Sequence, residues 1–465
     1  MPLPAELLDG LRAIVGDGHL RTDPDALVAY GVDALKRGHD ADAVVLPDGA
    51  DQISGILKLC SAHRVPVVPR GAGTGYTGGA VPLKGGVVLS LERMNRILEI
   101  DERNLIAVVE PNAVTGTIQE AVERVGLFYP PDPASLKTSV IGGNVAECAG
   151  GPRAFKYGTT KQYVLGLQAV LPNGDIIETG GKVVKNVVGY DLTHLLVGSE
   201  GTLAVITRIV LRLVPRPPVQ STLRATFATI AEATQAVSNI IAARVVPAAV
   251  ELIDGDSLEA VARYLDVRSL APAGTGALLL LEVDGLAEAV AEEAVRCERA
   301  CLDAGATGVL RARDEAERQE IWRVRRELSP ALKTITPIKF NHDVVVPKGR
   351  IPQLFEFVER LKHDYRLRIP CFGHAGDGNI HVNIMVTPGD EDEMRRAHEA
   401  ERALFEGVVG LEGSIIGEHG IGFAKAKYLP IELDAATIRI MKAVKRAFDP
   451  DDILNPGKIF PDENS

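Results

Sequence analysis

"PRGAGTGYTGGAVP", residues 69–82, is the stretch on which the reading of the fold turns. Gly73, Gly75 and Gly78 satisfy the spacing G-x-G-x-x-G, and the apolar run from Val65 to Val68 before them reads as a strand. A nicotinamide dinucleotide site uses such glycines for close backbone approach, and it also needs a helix directly after the loop whose N-terminus faces the pyrophosphate. Here Gly78 is followed by "GAVPLKGGVVLSL", with Pro82, Gly85 and Gly86 and then another strand. That leaves no room for the helix, nor does a β-α-β context support the acid expected about twenty residues on. A mere surface turn is an equally poor reading. Five glycines lie between Gly71 and Gly79, just after a buried strand, which suits a loop whose backbone N–H groups face an anion.

A second loop of the same character spans residues 130–158, "PPDPASLKTSVIGGNVAECAGGPRAFKYG", with Gly142-Gly143-Asn144 and Gly150-Gly151. Two such loops could hold one diphosphate from both sides, which implies a diphosphate cofactor without saying which.

Around these loops, residues 1–40 read as helix and turns, with Leu7, Leu8, Leu11 and Ile14 at helical spacing. Residues 41–216 are short Val/Ile runs broken by Gly and Asn turns, the texture of an α+β domain with short strands. "VPRPPV", residues 214–219, is a stiff proline linker and marks a boundary. Strands and helices then alternate in two β-α-β halves, which predicts a split β-α-β antiparallel sheet with helices on one face of a domain over 217–416. Residues 417–465 form a closing segment.

The chain of 465 residues carries 51 Lys+Arg against 62 Asp+Glu, a formal charge of −11, which argues against nucleic acid or an anionic membrane as the main partner. The beginning lacks a basic n-region and the longest apolar run, "ALLLLEV", is far too short to span a bilayer, so the expectation is a cytoplasmic protein that is not an integral membrane protein. Cys60, Cys148, Cys297, Cys301 and Cys371 form no C-x-x-C pair and do not read as a disulfide framework.

"PCFGHAGDGNIHVNIMV", beginning at Pro370, reads as a hairpin that brings His374 and His381 close, with Asn383 on the His381 face. A lone strand histidine is usually a satisfied core residue, whereas two facing each other beside a buried Asn suggest a ligand pair. "SIIGEHGIGFAK" offers a third ligand, Glu418, after a short apolar run. Two imidazoles and a carboxylate suit a divalent metal such as Zn, Mn or Fe.

Seven motifs in order, "PRGAGTGYTGG", "PPDPAS", "IGGNVAECAGG", "KNVVGYDLTHLLVGSEGTLAVIT", "FGHAGDGNIHVNI", "GEHGIG" and "FDPDDILNPGKIF", resemble the FAD-linked D-2-hydroxyacid dehydrogenases of the vanillyl-alcohol oxidase superfamily. The resemblance runs from about residue 40 to 460 and implies a two-part FAD-binding domain plus a substrate/cap domain. It puts Pro69, Arg70, Gly71, Ala72, Gly73, Thr74, Gly75, Gly78 and Gly79 on one side of FAD and Pro131, Gly142, Gly143, Asn144, Gly150, Gly151 and Gly158 on the other. Glu200, Gly201, Ile206 and Asn455 would complete the flavin site. No His or Cys stands in residues 70–79, so non-covalent FAD is expected.

The same resemblance makes His374, His381 and Glu418 metal ligands, His419 the acid/base, Arg326 and Lys339 the partners of a substrate carboxylate, and Asn383 an orienting group. Members acting on larger dicarboxylates carry a hydroxylic residue four positions after that arginine, where this chain has Pro330, so the resemblance favours glycolate or D-lactate over a hydroxyglutarate-type substrate. His342, on the opposite strand face from Lys339, reads as structural, and no role is assigned to Lys182, Lys185 and Tyr190. Electrons would pass to a non-NAD acceptor, a protein or quinone. The assemblies implied are a homodimer or a complex with iron–sulfur or flavin subunits, in which a non-catalytic flavin-binding role is the alternative.

Overall fold

The computed structural model describes residues 3–267 and 274–461, which divide into two units. Unit 1 comprises the chain up to Gly150, Thr159–Arg216 and everything from Glu418, whereas unit 2 comprises Gly151–Gly158 and Pro217–Gly417.

Unit 1 starts with four short strands, β1 (Leu20–Arg21), β2 (Ala43–Val45), β3 (Val67–Arg70) and β4 (Val87–Ser90), in the order β1-β2-β4-β3. β4 runs parallel to both β2 and β3, and β1 is antiparallel to β2. The helices Ala5–Val15 and Ala50–Ala62 cover one face, where Leu7, Leu11, Ile53 and Leu57 meet Ala43, Val67, Val87 and Leu89. The N-terminal helix is therefore part of this core. A second sheet is antiparallel throughout, built from β5 (Ile97–Asp101), β6 (Ile106–Val109), β8 (Val164–Val170), β9 (Ile176–Gly180) and β10 (Val205–Arg212) in the order β5-β6-β10-β8-β9. The short β7 (Leu127–Phe128) pairs with β11 (Val214–Pro215). The last chain segment returns to this unit, since Asn455 N–H donates to Val67 O at 2.8 Å and Ile453 and Leu454 enter the first core.

Unit 2 is one antiparallel sheet of seven strands: β12 (Val219–Phe227), β13 (Ala249–Asp254), β14 (Ala277–Gly285), β15 (Gly308–Arg311), β16 (Ile338–Val345), β17 (Cys371–His374) and β18 (Asn379–Val386). Their order, β15-β12-β14-β13-β17-β18-β16, gives the first four strands the split β-α-β arrangement and adds the hairpin beside β13. Helices lie on both faces, not on one. Leu278 and Leu280 pack against the helices Gly255–Tyr264, Glu315–Arg326 and Leu328–Lys333, while Leu279 and Leu281, pointing the other way, are equally buried on the side of the helices Ile230–Ala242 and Ala287–Asp303. An unbroken apolar run such as "ALLLLEV" is what burial on both faces requires. Residues 151–158 join this unit because Lys156 Nζ and Tyr157 OH reach the buried Asp284 carboxylate at 2.5 and 2.7 Å.

Candidate active site

In unit 1 the loop after β3 runs through turns into β4 with no intervening helix. Gly73 and Gly78 have φ of +68° and +82°, and a Cβ on Gly78 would lie 2.0 Å from Phe423 Cε1. Glycine is obligatory there, both for the left-handed backbone and for the space. Arg70 and Ala72, with Ala29, Tyr30, Gly71, Glu92 and Asn112, line an open cleft. Arg70 Nη1 donates to Tyr30 O at 3.3 Å and the guanidinium makes no ion pair among the described residues, so burial depresses its pKa. A half-buried, unpaired guanidinium beside glycine backbone fits a diphosphate.

The second loop behaves differently from its sequence reading. Gly142, Gly143 and Asn144 lie in the helix Ile141–Glu147, and the Gly142 N–H, expected to be a free donor, is taken by Pro111 O at 2.7 Å. Asn144 Nδ2 turns inward to Thr115 Oγ1 at 2.6 Å. Pro131 O accepts from Gln119 Nε2. A Cβ on Gly142 would lie 2.7 Å from Pro111 Cβ, so close helix–loop packing alone accounts for that glycine. Gly150 belongs to unit 1, whereas Gly151 and Gly158 belong to unit 2.

Glu200, at φ +51°, accepts from the N–H groups of Ile421 and Gly422 at 2.7 and 2.6 Å. Asn455 Nδ2 ties Gly79 O to Glu200 O at 2.9 and 2.8 Å, so both residues brace the glycine loop against the closing segment. Gly201 takes φ +67°, and Ile206 is a buried residue of β10. The structure also brings in Glu147, which sequence reasoning missed. Its Oε2 is shielded from solvent with no hydrogen-bond partner among the described residues, and burial, Glu200 and Asp33 together push its pKa well up. His419 is held by its carbonyl, which accepts from Thr77 Oγ1 at 3.0 Å, and its ring lies 5.7 Å from that of Tyr76.

In unit 2, β17 and β18 form the expected hairpin with a four-residue turn, Ala375–Gly378. The rings of His374 and His381 stand edge to face, 5.5 Å apart. Gly417, the last residue of this unit, donates its N–H to Asp343 O at 2.9 Å, which fixes where the next residue, Glu418, begins. Glu418, half-buried, is the first residue of the closing segment of unit 1. Behind His374 stands a residue the sequence did not single out: Glu251 of β13, fully buried, accepts through Oε1 from His374 Nδ1–H at 2.5 Å. With Nδ1 so engaged, Nε2 is the nitrogen that can ligate, and imidazole–carboxylate pairs of this kind accompany metal-bound histidines. The donor set therefore fits a divalent metal.

On the same sheet face, Asn383 donates to Pro370 O and His381 O, and its shielded Oδ1 meets no donor among the described residues. Lys339, 2 residues along from Asn341, which pairs with Asn383 in the register, donates to Ser329 Oγ at 3.1 Å, and burial pushes its pKa down to about 8. The arginine turned inward is Arg325. It donates through Nε to Glu251 Oε2 and lies 4.8 Å from the centre of the Phe372 ring. Arg326, the predicted carboxylate partner, is exposed and donates to Gln319 O. Ser329 stands four residues after Arg325, so the hydroxyl that Pro330 denies to Arg326 is present for its neighbour. His342 is buried on the opposite face against Phe405, as its strand position implied.

Comparison with known proteins gives two family matches: "FAD binding domain" over residues 41–180 and "FAD linked oxidases, C-terminal domain" over residues 216–459. The chain is 46% identical over 434 residues to the glycolate oxidase subunit GlcD of Bacillus subtilis, covering 93% of this chain and 92% of that protein. It is 36% identical to a D-lactate dehydrogenase of Anaerostipes hadrus, covering 90% and 89%. The solved structure of p-cresol methylhydroxylase with substrate bound superposes with a TM-score of 0.81 at 19% identity, over 99% of this chain and 97% of that one, a likeness of fold.

Proposed function

The chain belongs to the FAD-linked D-2-hydroxyacid dehydrogenases, and from that premise we propose that it oxidises glycolate or D-lactate to the 2-oxo acid with a divalent metal at His374, His381 and Glu418. The observation that carries the reading is the row of polar groups on one face of the unit 2 sheet, the buried His374, His381 and Asn383 and the half-buried Lys339, with Arg325 beside it. Apolar strands do not keep such a row unless it binds something.

Arg325 and Lys339 are the cations for the substrate carboxylate, a guanidinium suiting the two-oxygen geometry. Asn383 Oδ1 is an acceptor for a bound hydroxyl or water. His419 takes the hydroxyl proton. When bound, the flavin supplies the two-electron acceptor and the metal a Lewis acid that lowers the hydroxyl pKa. Pro69, Arg70, the glycines of residues 71–79 and Thr74, with Gly150, Glu200, Gly201, Ile206 and Asn455, hold FAD without a covalent bond. Names of the similar proteins support glycolate and D-lactate. Ser329 beside Lys339 keeps D-2-hydroxyglutarate as a second reading, since a hydroxyl there can serve a distal carboxylate. The electron acceptor is a protein or quinone in the cytoplasm. Among the described residues, no helix is long and apolar enough to cross a membrane.

The test is a panel of glycolate, both lactate enantiomers and D-2-hydroxyglutarate with a dye acceptor, with and without chelator. Anaerobic flavin bleaching by a D-2-hydroxy acid that chelator suppresses supports the reading, and bleaching by none of them overturns it. His419→Ala should keep FAD and lose substrate reduction.

A further inference from the structure

The carboxylate of Glu251 divides its two oxygens between two groups with different tasks. Oε1 meets His374 Nδ1 at 2.5 Å, and Oε2 takes the Nε–H of Arg325, whose guanidinium is laid over Phe372. The residue is 0% exposed, with Leu280 its partner across the ladder to β14 and His374 its partner across the ladder to β17. A charge this deep in a sheet is kept only with both partners in place, and removing either one leaves the rest uncompensated.

We propose that Glu251 is a positioning residue serving both halves of the unit 2 site. One oxygen fixes His374 in the tautomer that ligates through Nε2. The other engages Arg325 Nε, so that the two Nη groups are the donors presented to a substrate carboxylate. The inference rests on the metal and carboxylate roles proposed above and adds to them that metal affinity and substrate affinity are set by one side chain.

The experiment uses the flavin-loaded full chain. Wild type and Glu251→Gln are titrated with Mn²⁺ alone, then assayed with glycolate and D-lactate at saturating metal. Glu251→Gln is expected to retain FAD, to bind Mn²⁺ about 10–100-fold more weakly, and to raise KM more than it lowers kcat. If the surviving protein shows wild-type Mn²⁺ affinity and KM, with only the yield of folded enzyme reduced, Glu251 is merely structural and the inference fails. Should Glu251→Gln not fold, two measurements decide. Nitrogen-15 NMR of wild-type histidines should find His374 protonated at Nδ1, and a proton on Nε2 instead would overturn the proposal. Arg325→Lys, which leaves the His374 contact intact, should raise KM while leaving Mn²⁺ affinity within about 3-fold, the loss falling on one branch only; an equal loss of both would overturn it. A wild type that binds no metal and oxidises no hydroxy acid would instead sink the proposed function, which these variants do not address.

Discussion

Glu147 and Glu200 converge on one glycine: a Cβ on Gly420 would lie 1.9 Å from Glu147 Oε2 and 3.1 Å from Glu200 Cδ. In unit 1 Glu200 is buried and Glu147 is half-buried with its Oε2 shielded; desolvation and the repulsion from Glu200 raise Glu147 well above the ordinary 4.5, while the N–H groups of Ile421 and Gly422 partly offset the desolvation at Glu200. The folded protein thus holds protons that the unfolded chain releases above pH 4.5. Stability conferred by these protons is complete below that value and is lost as pH rises through the folded-state pKa, at about 1.4 kcal/mol per unit of displacement. Denaturant unfolding from pH 4 upward should show this fall, and Glu147→Gln, which needs no proton to stay neutral, should flatten it. A wild-type stability that climbs across the window would contradict the assignment.

Gly78→Ala introduces a methyl 2.0 Å from Phe423 Cε1 at φ +82°. Strain and overlap together should cost about 3 kcal/mol or more and empty the protein of flavin, read as the ratio of visible to ultraviolet absorbance. Gly126→Ala, at φ +76° with open space around it, is the control. It should keep its flavin and lose only about 1–2 kcal/mol.

Arg325 and Arg326 are neighbours in sequence and separated by a hundred degrees of helix. Arg325→Ala should raise KM by about 10–100-fold, the value of a charge-assisted hydrogen bond of about 1.5–3 kcal/mol, and leave flavin content intact. Arg326→Ala should change KM by no more than about 2-fold. Equal effects from the two variants would return the role to Arg326.

Lys339 carries its charge only below about pH 8, because burial and the nearby Lys333 disfavour the ammonium form. If it binds the substrate carboxylate, kcat/KM should decline as pH rises through about 8. Lys339→Met should lower kcat/KM at neutral pH and erase that limb, and a limb that persists in the variant belongs to another group.

What was legible in the sequence was local. The histidine hairpin could be read because alternation along a strand and a Gly/Asp/Asn turn fix which residues face each other within about a dozen positions. The glycine loop could be read because the chain after it, not the motif, excludes a helix. Less legible was everything set by rotation or by partners far along the chain. Three arginines within four positions of one helix differ only in the face they occupy, and the neighbour that selects Arg325 is Glu251, 74 residues away. Glu251 and Glu147 each stood as one acid in an apolar or glycine-rich stretch, "AAVELI" and "GGNVAEC", and a charge in such a setting was itself the available signal. Gly142-Gly143 reads as loop because small residues suggest free backbone donors, yet both lie in the helix Ile141–Glu147, where Gly142 packs on Pro111. The twenty-residue helix Glu391–Gly410 carries its start in the sequence, since Asp390 caps it by accepting from Glu393 N–H.

Unit 1 is assembled from three chain segments that enclose the whole of Pro217–Gly417 between the second and the third. During synthesis, the strands around Val67 must therefore wait for Leu454 and Asn455, nearly four hundred residues later, before that edge is closed. Unit 2, apart from its short piece at Gly151–Gly158, is continuous and can acquire its sheet while the ribosome is still producing the tail. A chain that ends before Asn455 lacks the residues that pair with Val67 and tie Gly79 O to Glu200 O.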